Sequence, residues 1–219
     1  NNDAWFRLCT LSDSALPVGS FAHSQGIEAA SQMQLFKRSN HSNNRAEPCS
    51  IDALSDFIYS ISRSNARFST PLIMAGYSLI QQSTTESSLP VEETLQLWSE
   101  IDAYTDTMLI TNRPGRRASI DQGLGLVRIA SSFANDRNDK HDLNLDIATD
   151  LWTLISQSID NNDERSIAKG HAAPIYGILS ATLGITPLDC CRVFAFGATR
   201  DAVSAAVRLN LIGPMAGLT

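Results

Sequence analysis

The stretch Thr186 to Leu209, TPLDCCRVFAFGATRDAVSAAVRL, decides the fold class. Thr186 offers a capping hydroxyl, and Pro187 supplies a preset φ where no N–H is required, so the pair opens a helix. Leu188, Cys191, Ala195, Ala198, Ala202, Ala205 and Leu209 then follow at alternating steps of three and four. That spacing lays them along one side of an α-helix. Gly213-Pro214 closes the run, because neither residue readily continues a helix.

The same period recurs on the N-terminal side. Ile51, Leu54, Ile58 and Ile61 form a stripe, and Thr70-Pro71 reads as the cap and first-turn proline of a helix through Ile80. Leu95, Trp98, Ile101, Thr105 and Met108 form another, opened by Pro90 and by Glu92-Glu93, whose charges favour a helix N-terminus. Asn112-Arg113-Pro114-Gly115 breaks the chain before a helix carrying Ile120, Leu124, Val127 and Ala130 or Ser131. Asn135 to Asn144 is polar and reads as a loop. Ile147, Leu151, Leu154 and Ile155 mark the next helix, Asn161-Asn162-Asp163 breaks it, and helical reading resumes around Pro174. No stretch alternates with period two. The expected fold is therefore all-α, a single-domain bundle over 1–219 of roughly eight to ten helices. Residues 37–50 and 81–89 are expected loops within it rather than domain linkers.

Composition narrows the function. Hydrophobic residues make up 43% of the 219, enough for a packed core, and charged residues only 18%. The net charge is −6 and lysine occurs only at Lys37, Lys140 and Lys169, so no basic tract exists to hold nucleic acid. Arg113, Arg116 and Arg117 read as a solvated helix start. No apolar run is long enough to span a bilayer. Cys9, Cys49, Cys190 and Cys191 show no framework spacing, and adjacent Cys190-Cys191 cannot readily bridge each other, which fits a reduced, cytoplasmic setting.

Four stretches stand apart from plain helix patterning. The first runs Ser12-Asp13-Ser14-Ala15-Leu16-Pro17-Val18-Gly19-Ser20-Phe21-Ala22-His23-Ser24-Gln25-Gly26-Ile27-Glu28. Pro17 and Gly19 give it a defined turn, and polar side chains follow. A shaped polar loop between apolar elements is a common place for function. The others are Gln122 to Ala130 (QGLGLVRIA), Gly170 to Gly177 (GHAAPIYG) and Val203 to Leu209 (VSAAVRL).

In this order the four stretches resemble the urease accessory protein F (UreF) family, and the last, running into Asn210-Leu211-Ile212-Gly213-Pro214, is closer to eukaryotic members. The resemblance implies a largely helical, non-enzymatic chaperone for nickel insertion that forms a homodimer. It implies assembly with the D/H accessory protein and the GTPase accessory protein G on nickel-free apo-urease, with GTP hydrolysis on G releasing the metal. The partner-binding residues carried over from motif position are Pro17, Val18, Gly19, His23, Ser24, Gln25, Gly26 and Glu28, followed by Tyr176 and Arg208. Family members usually continue beyond the position of Gly213-Pro214, and this chain begins without methionine, so a longer natural protein with a C-terminal tail is expected.

The residues themselves leave other readings open. His23 or His171 could serve a helical hydrolase or lyase, although no Gly-x-Ser-x-Gly elbow is present. A generic helical interaction scaffold unrelated to metals is the other open reading. Neither the histidines nor the cysteines show ligand spacing, so no metal site and no cofactor of the chain's own is expected. No phosphate-binding Gly-x-x-x-x-Gly-Lys loop occurs, so GTP chemistry would belong to another protein. Gly170, Gly177 and Gly184, seven apart, would stack near one helix face, either for tight packing in the core or for a partner. Ser204 and Arg208 are one turn apart, with Asp201 further back. Arg208 reads either as part of an intrahelical pair or as a fixed charge for the C-terminal tail or a partner.

Overall fold

The computed structural model describes residues 25–36, 50–83, 89–135, 143–160 and 168–213. Among these residues all regular structure is helical: α1 (Ile27–Gln32), α2 (Ile51–Ser83), α3 (Val91–Leu109), α4 (Arg113–Asn135), α5 (Leu143–Asp160), α6 (Ala172–Thr182) and α7 (Pro187–Arg208). The class is as expected. The seven helices found there fall short of the expected count partly because two segments read separately are one.

That fusion is α2. Pro71 lies inside it rather than at a start. Arg67 and Pro71 both face solvent, so water can reach the carbonyl that Pro71 leaves without a donor. Each half of the helix is clamped by a different core. Leu54, Phe57, Ile58 and Ile61 pack with Ile27, Ala30, Phe36, Ala202, Ala205 and Ala206. Leu72, Ile73, Tyr77, Leu79 and Ile80 pack in the larger core with Trp98, Leu151, Ile155, Ile175 and Ile178. Packing on both sides outweighs the local penalty of the proline. The helix also runs to Ser83, into the expected 81–89 loop. Most of the other expected loop lies outside the described residues, but its ends meet: Ser50 donates its N–H to the Phe36 carbonyl at 2.7 Å.

The second element shared by both cores is α7. Thr186 caps it, accepting the Asp189 N–H at 3.2 Å, and Pro187 stands in the first turn, both as expected. It runs antiparallel to α2: Tyr77 donates to the Ile185 carbonyl at 2.9 Å near one end, and Thr199 donates to Ser62 at 3.0 Å further on. The apolar stripe differs in phase from the expected one over the first turns. Cys190, not Cys191, is fully buried, and Leu188 is exposed. The first half of α7 leans on α6, where Phe194 meets Tyr176 edge-on at 5.1 Å, and only the second half faces α1 and α2.

At the centre lies α6, nearly all of it buried. Its first-turn Pro174 fits the helix start as expected. Of the glycine triplet only Gly177 is helical. Its position is a crossing point: a Cβ there would overlap the Ile73 carbonyl of α2, and one on Gly76 would overlap the Pro174 carbonyl. The two backbones touch because neither side chain intervenes. Gly170 and Gly184 lie beyond the two ends of α6, so the triplet does not form a helical face.

Candidate functional site

Residues 168–171, which lead into α6, carry polar groups into the interior, and α3 meets them there. Asp102 is fully buried, on the same face of α3 as Trp98 and Thr105. One carboxylate oxygen accepts the backbone N–H groups of Lys169 at 2.5 Å and Gly170 at 3.0 Å, and the other accepts that of His171 at 2.6 Å. A buried carboxylate needs such compensation, and charge-assisted bonds from backbone donors supply it. Gly170 adopts φ +80, the left-handed conformation that lets three successive donors turn toward one carboxylate.

His171 is also fully buried. Its Nε2 lies 3.0 Å from Asp106 Oδ1 and its Nδ1 lies 3.1 Å from Ser119 Oγ. A carboxylate oxygen accepts, so Nε2 carries the proton. Nδ1 then accepts from the Ser119 hydroxyl, whose oxygen in turn accepts the Ala172 N–H at 3.3 Å. Arg116 closes the chain with a two-pronged pair to Asp106 at 2.6 and 3.0 Å. Burial pushes the Asp106 carboxyl up, but hydrogen bonds from Arg116 and His171 and the charge of Arg116 outweigh it and hold it below the usual range. The Arg116 guanidinium is pushed up by the same bond. Arg116 is thus a structural arginine, whereas Arg117 is solvated, 3.8 Å from Asp121.

Serine, histidine and aspartate invite comparison with a hydrolytic triad, and the geometry answers it. The imidazole is sealed from solvent, so no substrate reaches it. The serine oxygen is engaged with a helix N–H. The arrangement does what a brace does: it pins the entry to α6 against α3 and α4. Gly123 completes it, since a Cβ there would overlap the Gly170 carbonyl. The buried face of α4 is turned accordingly, with Gly123, Leu126, Val127 and Ala130 inward and Leu124 only half-buried.

The four sequence stretches therefore pair off in space. Gln122–Ala130 meets Gly170–Gly177 through Gly123 and Gly170. The end of the first stretch meets the last: Gln25 donates from Nε2 to the Ala198 carbonyl of α7 at 2.9 Å, and Ile27 packs with Ala202, Ala205 and Ala206.

Of the expected partner-binding residues, Pro17, Val18, Gly19, His23 and Ser24 lie outside the described residues. Gly26 is the N-cap of α1 with φ 86 and no side-chain capping bond, and Glu28 is exposed in the first turn, suited to the helix dipole. Tyr176 has a core placement rather than a surface one. It is 5% exposed, burial pushes its phenol up, and its hydroxyl makes no hydrogen bond among the described residues, nor does that of Ser180 one turn later. Arg208 is exposed in the last turn of α7. Asp201 pairs with Arg200 at 3.0 Å.

Asp102, Asp106, Arg116 and Ser119 were not among the expected site residues. A carboxylate at the centre of an apolar stripe, between Trp98 and Thr105, was the available signal for Asp102.

A family model for UreF matches residues 49–219. Over 206 residues, 94% of the chain, it is 30% identical to urease accessory protein F of Oryza sativa subsp. indica, and over 205 residues 31% identical to the protein of that name in Arabidopsis thaliana. It is 26% identical over 229 residues to urease accessory protein 6 of Cryptococcus neoformans var. grubii. The chain spans 63% of the rice relative, 68% of the Arabidopsis one and 72% of the fungal one. No helix among the described residues is long and apolar enough to cross a membrane.

Proposed function

Because this chain belongs to the UreF family, we propose that it is a urease accessory protein that acts by contact rather than by catalysis. In this reading it forms a homodimer in the cytoplasm. It joins the D/H accessory protein and the GTPase accessory protein G on apo-urease, and couples GTP hydrolysis on G to nickel delivery, the metal being cargo.

The observation that carries the reading is the family match over residues 49–219 together with relatives named urease accessory protein F. The fold is compatible with it. The most polar interior cluster is spent on holding α3, α4 and α6 in register, which suits a protein that presents rigid surfaces. The first and last family stretches, which meet where Ile27 packs with Ala205 and Ala206, supply the surface around Gly26, Glu28 and Arg208 that the reading assigns to partners. Pro17, Val18, Gly19, His23 and Ser24 belong to the same proposed surface by sequence.

Mixing the chain with the matching D/H and G proteins, with and without GTP, and measuring the mass of the complex tests this directly. Co-migration of both partners is the expected result. If neither joins in any nucleotide state, a general helical scaffold becomes the better description.

A further inference from the structure

We propose that the outer face of α2 between Asp52 and Arg67 is a self-complementary docking surface, whose occupant is the same face of a second copy of this chain in antiparallel orientation. The proposal rests on the dimer suggested above and specifies its face.

Asp52 stands in the first turn of α2, where its charge suits the helix dipole, and three further charges follow it on the same outer side. Asp52, Asp56, Arg63 and Arg67 all face solvent. None forms an ion pair among the described residues. Their spacing is unfavourable within the helix. Asp52 and Asp56 are one turn apart, as are Arg63 and Arg67, so like charges are adjacent and opposite ones are two turns away.

A two-fold axis between Tyr59 and Ser60 changes every one of these relations. Asp52 then stands opposite Arg67 of the second copy, and Asp56 opposite its Arg63. Symmetry repeats both contacts, giving four unlike pairs and no like ones, the mark of an isologous interface. The exposed positions over this span obey the same rule throughout. Ser55 and Ser64 exchange, as do Tyr59 and Ser60, and each of these residues is exposed. At 1.5 Å per residue the face is about 22 Å long, a span that near-antiparallel helices can follow.

The centre of the face has the shape such a contact needs. Tyr59 is 67% exposed, and the position it meets across the axis is Ser60, a small residue that allows close approach. Beside Tyr59 lies a groove of about 630 Å³, lined also by Ser55, Ser62, Arg63 and Thr199. It offers the Tyr59 ring of the second copy a place off the axis. Exposed pairs of this kind set register and orientation more than affinity, so the tyrosines and the area around them carry the binding.

Sedimentation velocity of the chain over a concentration series, at low and high salt, tests this. A dimer that weakens with salt is expected. Asp56→Arg and Arg63→Asp each place like charges opposite one another twice, and each should raise the dimer dissociation constant about tenfold or more. The double variant Asp56→Arg/Arg63→Asp restores unlike pairs and should return close to wild type. Both sites are exposed, and unchanged thermal melts of the three variants verify that they fold. A dimer indifferent to both single changes, or one not rescued by the double change, overturns the α2 face and leaves the dimer itself standing. A chain monomeric at every concentration overturns both.

Discussion

The Asp102 carboxylate accepts the backbone N–H of His171 at 2.6 Å across 69 residues of sequence. Two further donors, from Lys169 and Gly170, point at the same group. One side chain on α3 therefore holds the entry to the central helix, and its loss would take this acceptor from the buried N–H groups of Gly170 and His171 and from the half-buried one of Lys169.

Asp102→Ala should accordingly lower stability by roughly 3–5 kcal/mol. Urea unfolding followed by circular dichroism would measure this, with Asp121→Ala as comparison. Asp121 is half exposed and lies 3.8 Å from Arg117, so its loss should stay within about 0.5 kcal/mol. Equal losses at the two sites would show that the Asp102 bonds contribute little.

Glycine substitutions should sort by what lies above the Cα. At Gly177 and Gly123 an added methyl meets main-chain carbonyls of Ile73 and Gly170, which have no rotamer to escape into. Each change to alanine should cost about 2 kcal/mol or more. Gly197 in α7 has no heavy atom near its Cβ direction. Gly197→Ala should stabilise by roughly 0.5–1 kcal/mol through helix propensity alone. Melting temperatures moving in opposite directions are the expected signature.

Much of this architecture was legible in the sequence, and the gaps have physical causes. Trp98, Leu151 and Ile155 were read correctly as inward because apolar residues at helical spacing have little choice of face. Thr186-Pro187 fixed a helix start because cap and φ are set by the two residues themselves. Pro71 misled, since a cap-proline signal is local while the clamping of α2 by two cores is not. Leu188 misled because α7 changes neighbours along its length, and a single stripe cannot follow both. Asp102 stayed hidden for a different reason. A carboxylate reads as solvent unless its donors are known, and those donors belong to backbone far away in sequence.

The pH dependence of stability should carry the mark of Asp106. Its carboxyl is held below the usual range by Arg116 and His171, against the upward push of burial. A depressed carboxylate stabilises the fold above the unfolded value of about 3.9 and loses that contribution as pH falls through the folded value. Asp106→Asn should be less stable than wild type near neutrality, with the gap narrowing as the pH drops below about 4. Denaturation midpoints measured across that range decide the matter. A gap that is constant with pH would assign the loss to geometry rather than to charge.

The two neighbouring thiols offer a probe of the α6–α7 contact. Cys190 is fully buried and burial pushes its thiol up to about 11, while Cys191 is half-buried and pushed up by the same cause. Only the thiolate reacts with alkylating reagents. At pH 8 about one Cys190 in a thousand would be ionised, against roughly a quarter in the unfolded chain, so native alkylation should be slower by a few hundredfold even before access is considered. Mass spectrometry of alkylated peptides should find the order unfolded chain, then native Cys191, then native Cys190. The same upward push predicts that raising the pH through the ordinary thiol range favours the unfolded chain, which releases its protons first. Prompt labelling of Cys190 in the native protein at pH 8 would mean that α7 lifts away from Tyr176 and Ser180 far more often than its packing implies.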